Sequence, residues 1–276
     1  MKADPVMSKE AKPIGWTHES DERFTEYYAQ ASQSDISIVR FKSLRDCVLR
    51  VAQARGLAKP QLDVADIGCG GGTQSILWAE LGHKVHGLDV NQPLLELARR
   101  RAAETRLPLA FELGSATQLP WPNDSMDVCL LLELLEHVVD WQACLSESVR
   151  VLRPGGILFL TTSNKLCPIQ QEFRLPLYSW YPKPLKRYCE KLAITTRPSL
   201  ANYAKYPAVN WFTFYGLRSV LANCGFTCLD RFDVMDLAKK GGLARWIAAS
   251  ITASQPVRWL AHVVTPGTTV LAIKKF

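Results

Sequence analysis

The chain has 276 residues, a formal net charge of +7, 47% apolar residues and 21% charged residues. That length suits one α/β domain with additions and falls short of two full ones, and the composition excludes long disorder. No run approaches the eighteen or so unbroken apolar residues of a spanning helix, which argues against a membrane-embedded body.

The predicted elements alternate in chain order. Residues 1–20 read as an untethered arm, and about 21–56 as helices, with Ile36, Val39, Leu44, Val48 and Leu49 at helical spacing. Gly56 and Pro60 end that region, so 1–56 forms an N-terminal part and 57–276 the main domain. A first strand is expected at about 62–67, a helix over Thr73 to Leu81, a second strand at 84–89 and a helix from Pro93 to Thr105. A third strand near 109–113 leads to Gly114-Ser115-Ala116, a fourth spans 126–132, and a helix follows from Asp140 to Leu152. Pro154-Gly155-Gly156 then turns into a fifth strand, Ile157 to Thr162. A helix at Tyr215–Asn223, a sixth strand at Phe226–Phe232 and a last strand at Thr268–Ile273 complete the pattern. Such alternation predicts a doubly wound, mostly parallel seven-stranded sheet with helices on both faces, a Rossmann-like α/β fold.

The polar start, Met1-Lys2-Ala3-Asp4-Pro5, lacks the apolar stretch of a secretory signal, so the expected location is the cytoplasm. Most of the eight cysteines lie in apolar runs without C-x-x-C spacing, which favours buried thiols over disulfides or zinc. Cys224 and Cys228 straddle Gly225 and have no partner pair.

The segment Val64-Ala65-Asp66-Ile67-Gly68-Cys69-Gly70-Gly71-Gly72-Thr73 carries the most chemical information. Apolar residues and an Asp running into alternating glycines describe a buried parallel strand turning sharply into a helix, where missing side chains let a ligand lie on the backbone. Asp89, closing the next strand, is placed to accept hydrogen bonds from ribose hydroxyls. A dinucleotide G-x-G-x-x-G fails in both registers, at Thr73 and at Ser75. Asp-x-Gly-x-Gly-x-Gly is met by Asp66, Gly68, Gly70 and Gly72. This pattern resembles the first motif of class I S-adenosylmethionine-dependent methyltransferases.

Ligands in such sheets bind beyond the carboxyl ends of the strands. The fourth strand ends in Leu132-Glu133-Leu134-Leu135-Glu136-His137-Val138, and the fifth in Thr162-Ser163-Asn164. Two carboxylates and an imidazole at a strand mouth can serve as general base or as ligands of a divalent cation, or Glu136 and His137 can simply cap the next helix.

From about 62 to 164 the chain resembles the ubiquinone-biosynthesis O-methyltransferases, which methylate polyprenyl-dihydroxybenzoate and demethylubiquinol. They share the G-C-G-G-G turn, an E-x-L-E-H-V segment and a P-G-G turn leading to an Asn. The resemblance implies that Leu132 touches the cofactor, that Glu133, Glu136 and His137 hold magnesium, and that an Arg before the first strand contacts cofactor, Arg45 being the nearest match. It also implies that Ser115 and Ala116 lie near the adenine, although these families usually carry an acid where Ser115 stands. The catalytic candidates are therefore His137, Glu133, Glu136 and Asn164.

Two added segments depart from that family. Residues 165–205, within an insert of about 165–213, hold eight Lys or Arg against two Glu, with Phe173, Tyr178, Trp180, Tyr181, Tyr188 and Tyr203. The second, about 236–266, interleaves Trp246, Ile247, Ile251, Trp259 and Leu260 with four Lys or Arg and one Asp. Aromatic residues mixed with cations suggest peripheral contact with an anionic membrane and a lipid-like substrate. Nucleic acid is the competing partner, disfavoured because the strand-four motif lacks the Asn/Asp-Pro-Pro-aromatic pattern of many base methyltransferases. The expected activity is methyl transfer to a hydroxyl of a phenolic, quinol or lipid-like molecule. The alternatives are a carboxylate, glycan or RNA acceptor, or an inactive cofactor-binding scaffold.

Overall fold

A computed structural model describes residues 30–57, 59–170, 172–201, 208–237 and 241–276. The expected arm at 1–20, the start of the expected helical region at 21–29 and Tyr203 lie outside them. Helix α1 runs from Asp35 to Ala54, capped by Ser34, whose hydroxyl accepts from Ser37 N–H. Then follow β1 (Asp63–Ile67), α2 (Thr73–Ala79), β2 (Lys84–Asp89), α3 (Gln92–Thr105), β3 (Leu109–Leu113), β4 (Met126–Leu132), α4 (Trp141–Val151) and β5 (Leu152–Ser163). The first insert contributes α5 (Lys183–Thr195), after which come α6 (Phe214–Asn223) and β6 (Phe226–Asp230). A helical pair, α7 (Gly242–Ala253) and α8 (Gln255–Val263), leads to β7 (Gly267–Lys274).

The seven strands form one sheet in the order β3-β2-β1-β4-β5-β7-β6. All neighbours are parallel except β7, which runs antiparallel to both β5 and β6. Val64, Ala65 and Ile67 of β1 and Val128 to Leu131 of β4 are buried on both faces, as expected of central parallel strands sandwiched between helices. Val48 and Ala52 of α1 join Leu62, Val64 and Trp78 in one of the two sheet cores, so α1 packs as part of the sheet's helical layer.

The connection after β1 goes to one side of the sheet and the one after β4 to the other, opening a crevice at their carboxyl ends. Side chains start the flanking helices where the sequence predicts. Asn91 Oδ1 accepts from Leu94 N–H at the head of α3, and Asp140 Oδ1 from Ala143 N–H at the head of α4. Asp140, not Glu136 or His137, is therefore the cap.

Two expectations change. The P-G-G sequence does not precede the fifth strand but lies inside it: β5 pairs Leu152 with Met126, then Ile157 with Val128, so Pro154-Gly155-Gly156 forms a bulge, with Gly155 at φ +77°. Some aromatics of the first insert also turn inward, while Trp180 and Tyr188 stay exposed. Phe173 stacks on Tyr178 with centroids 4.0 Å apart, Tyr181 and Trp211 close around them, and Lys186 places Nζ 4.2 Å from the Trp211 ring centre while donating to Ser179 O. Burial lowers the Lys186 pKa to about 8. Part of the aromatic content of this insert thus forms a small local core. All eight cysteines are free thiols. Among the described residues no helix is long and apolar enough to cross a membrane.

Candidate functional site

The glycine turn after β1 follows from its backbone angles. Gly68, Gly70 and Gly72 adopt φ of +78°, +52° and +75°, a region costly for any residue with a Cβ. Gly72 has a second reason: a Cβ there would lie 2.8 Å from Ala98 Cβ and 3.0 Å from Phe111 Cζ, so its absence lets α3 and β3 close on the turn.

Two acids hold this turn. Asp66 is buried and accepts from Ser75 Oγ at 2.6 Å, tying the strand end to the first turn of α2. Burial, reinforced by the charge of Asp89, raises its pKa to about 6. Asp89 accepts from Gly70 N–H through Oδ2 and from Asn91 N–H through Oδ1, both at 2.8 Å. Burial pushes its carboxyl upward too, against the pull of these backbone donors. Asp89 thus fixes the loop while keeping lone pairs for a ligand.

The crevice beside them is lined by Asp66, Gly68 and Gln74 on one strand end and by Leu132 and Glu133 on the other, with Ser32, Arg40 and Phe41 from the N-terminal side. Gln74 Oε1 is buried without a partner. Glu133 sits at φ +52° and accepts from Arg40 Nη2 at 2.6 Å. The sequence singles out Arg45, but the structure places it elsewhere. Arg45 is buried against α2, donating to Leu77 O and to Asp46. Five residues advance a helix by about 140°, so Arg40 and Arg45 face different neighbours. Arg40 is the cleft residue; neither its position nor that of Phe41 carries a sequence signal beyond helical spacing.

Ser115 and Ala116 are outside this lining. Ser115 is exposed and shares its hydroxyl with Thr117, while Ala116 packs into the core.

Beyond β4 the chain makes a tight turn. Glu136 is fully buried, its Oε2 accepting from Thr162 Oγ1 at 2.8 Å and its Oε1 lacking a partner. Burial, then the charge of Glu133, raises its pKa well above the ordinary carboxyl range, favouring the protonated form. His137 Nδ1 is likewise buried with no partner. The insert returns over this turn: Val209 and Asn210 N–H donate to Glu136 O, and Asn210 Nδ2 donates to Leu135 O and Val138 O.

The magnesium set does not assemble. Glu133 is ion-paired with Arg40, Glu136 is buried and hydrogen-bonded to Thr162, and among the described residues no three His, Cys, Asp or Glu side chains converge on a cation site. Asn164 is engaged by the fold. It is 1% exposed, its Nδ2 donates to His262 O and Thr265 O, and its Oδ1 accepts from Leu166 N–H. It clamps the end of β5 to the loop before β7.

Residues 65–160, which hold β1 through most of β5, match the family model described as a methyltransferase domain. Over these residues the chain is similar to methyltransferase domains. Over 130 residues it is 34% identical to a ubiquinone biosynthesis O-methyltransferase of Mesorhizobium japonicum, covering 46% of this chain and 52% of that protein. A malonyl-[acyl-carrier protein] O-methyltransferase of Serratia marcescens is 36% identical over 107 residues, covering 39% and 40%. The chain thus spans about half the length of the curated relatives it matches. Among solved structures, magnesium protoporphyrin IX methyltransferase of Synechocystis PCC 6803, solved with bound S-adenosylhomocysteine, superposes with a TM-score of 0.56 at 16% identity, over 92% of this chain and 95% of that one.

The residues of this crevice suit S-adenosylmethionine. The positive-φ turn brings the Gly68 backbone to the crevice wall, Asp66 offers a negative charge, and Gln74 Oε1 an unclaimed acceptor.

Proposed function

We propose that the protein transfers a methyl group from S-adenosylmethionine to a hydroxyl of a phenolic, quinol or lipid-like small molecule. The observation that carries this reading is the pair of partnerless buried atoms, Glu136 Oε1 and His137 Nδ1, in the turn that follows the crevice-lining Glu133. Buried polar groups rarely go unpaired, and a bound acceptor would supply missing partners. Oxygen as the acceptor atom also accords with the O-methyltransferases among the relatives.

When bound, S-adenosylmethionine supplies an electrophilic methyl carbon on a sulfonium. The chain has to orient the acceptor in line with the C–S bond, exclude water and take up one proton. His137 Nδ1 accepts the proton of the acceptor hydroxyl, whose pKa in a phenol is about 10. Glu136, held by Thr162 and favoured by burial in its protonated form, would donate to the same oxygen and direct its lone pair. With the cofactor bound, the new C–O bond would form as the C–S bond breaks, the C–S electron pair staying with sulfur and the hydroxyl proton with His137. The insert segment 208–212 lies over the turn through Val209 and Asn210, which would help to exclude water.

The test is release of S-adenosylhomocysteine by purified protein against catechols and prenylated phenols, with magnesium and with chelator. Turnover on a phenol that survives chelation supports the reading. Cofactor binding without product on every phenol overturns it, and turnover confined to a carboxylate or glycan acceptor reassigns the substrate.

A further inference from the structure

Helix α8 is inside out relative to a surface helix of a soluble domain. Its inward face carries the charges: Arg258 donates through Nε to Asp230 Oδ2 at 2.7 Å, and His262 Nε2 lies 2.9 Å from the same oxygen. Asp230, at the end of β6, is fully buried, and the His262 ring lies parallel to Phe214 with centroids 5.3 Å apart. With Arg258 and His262 spent at positions i and i+4 on this anchor, the opposite face falls to Val257, Leu260 and Val264, at i, i+3 and i+7. All three are exposed, with Trp259 beside them; Leu260 is 56% exposed.

Helix α7, joined to it at Ser254 and packed against it, repeats the pattern. Leu243, Trp246 and Ile247 form an i, i+3, i+4 stripe, Leu243 being 74% and Trp246 69% exposed, while Ala248 alone in this helix is buried. A soluble domain ordinarily turns such stripes inward. From Leu237 to Phe276 the sequence contains no Asp or Glu and six Lys or Arg, of which Arg258 is taken up by Asp230 and Lys274 by Asp124. An apolar face with exposed tryptophans, in forty residues without an acid, has the chemistry of a surface that lies on anionic lipid: rings and aliphatic chains enter the headgroup layer and cations meet the phosphates. Nucleic acid would reward the cations but leave Leu243, Leu260 and Val264 unused.

We propose that the α7–α8 hairpin is a docking surface for an anionic bilayer, anchored to the catalytic domain through Asp230. This stands apart from the choice of acceptor, because the surface involves no residue of the cofactor crevice.

The experiment is co-sedimentation of the full chain with vesicles of phosphatidylcholine alone and of phosphatidylcholine with phosphatidylglycerol. The wild type is compared with Leu260→Glu and with Trp246→Glu, and folding is checked by circular dichroism and S-adenosylmethionine binding. The expected result is at least roughly tenfold stronger partition onto the phosphatidylglycerol vesicles, weakened by salt and reduced about tenfold or more in either variant, the scale of withdrawing one large apolar side chain from a buried site. Because both side chains are exposed, the variants fold and bind cofactor as the wild type does. Absence of vesicle binding, or binding equal in wild type and variants, overturns the proposal. So does self-association, or RNA binding, that either substitution abolishes while vesicle binding is absent.

Discussion

Arg40 Nη2 meets Glu133 Oε1 at 2.6 Å, joining α1 to the residue that follows β4 across 93 positions of chain. Both side chains are substantially exposed, so as an ion pair it contributes no more than about 1 kcal/mol to stability. Its importance lies in its place on the crevice wall. Arg40→Ala should leave Tm nearly unchanged and weaken S-adenosylmethionine binding by roughly 3–30-fold, the effect of removing a charged hydrogen bond. Calorimetric titration measures this, and unchanged affinity would take Arg40 out of the site.

Asp66 gives the cofactor site a pH dependence with a defined sign. Its folded pKa, about 6, lies above the ordinary 3.8, so the native state holds this proton more tightly than the unfolded state. Its contribution to stability is therefore fully present below about pH 4 and is lost as pH rises through 6. A cationic ligand favours the ionised form, so cofactor affinity should rise between pH 5 and 7, by up to roughly tenfold per unit. Asp66→Asn should flatten that rise. An equally steep rise in the variant would place the titrating group elsewhere.

Gly72→Ala tests the packing reason for the third glycine. A Cβ at 2.8 Å from Ala98 and a φ of +75° act together, so the variant should lose about 1–3 kcal/mol of stability and bind cofactor at least roughly tenfold more weakly. A variant with wild-type affinity would show that the turn does not carry the ligand.

Glu136 and His137 separate by substitution. If Glu136 works as a neutral carboxyl, Glu136→Gln preserves its shape, its Thr162 contact and a donor, and should keep turnover within about tenfold, whereas His137→Ala should lower it about 10²–10⁴-fold with cofactor affinity intact. Steady-state kinetics decide. Loss of all turnover in Glu136→Gln would mean that a carboxylate charge is needed there.

Asn164→Ala should be a stability variant. Removing three hydrogen bonds at a site 1% exposed costs about 2–4 kcal/mol, a Tm lower by roughly 5–10 °C, while kcat measured well below Tm stays near wild type. A kcat loss without a Tm change would restore Asn164 to the catalytic group.

What could be read in the sequence was local. Asp66, the alternating glycines and Asp89 are recognisable because positive φ and close approach demand glycine at fixed spacing, and the strands of the sheet because central parallel strands are apolar throughout. What depended on distant partners could not be read. Asn164 looks like a strand-end polar group until His262 and Thr265, about a hundred positions on, are seen to bind it. Arg45 and Arg40 differ only in which helix face they occupy, which spacing to the first strand does not encode. The glycines of Pro154-Gly155-Gly156 fit a turn or a bulge equally well until β4 supplies the register. The aromatics of the first insert look like an interfacial surface because nothing local says that Phe173, Tyr178 and Trp211 meet around Lys186.

The central claim is methyl transfer to oxygen, and the most direct measurement follows the methyl group itself. Protein incubated with trideuteromethyl S-adenosylmethionine and an active phenol should give one equivalent of S-adenosylhomocysteine per product, with mass spectrometry placing the whole trideuteromethyl group on the acceptor oxygen. Label on carbon or nitrogen, or bound cofactor that never turns over with any acceptor, would contradict it.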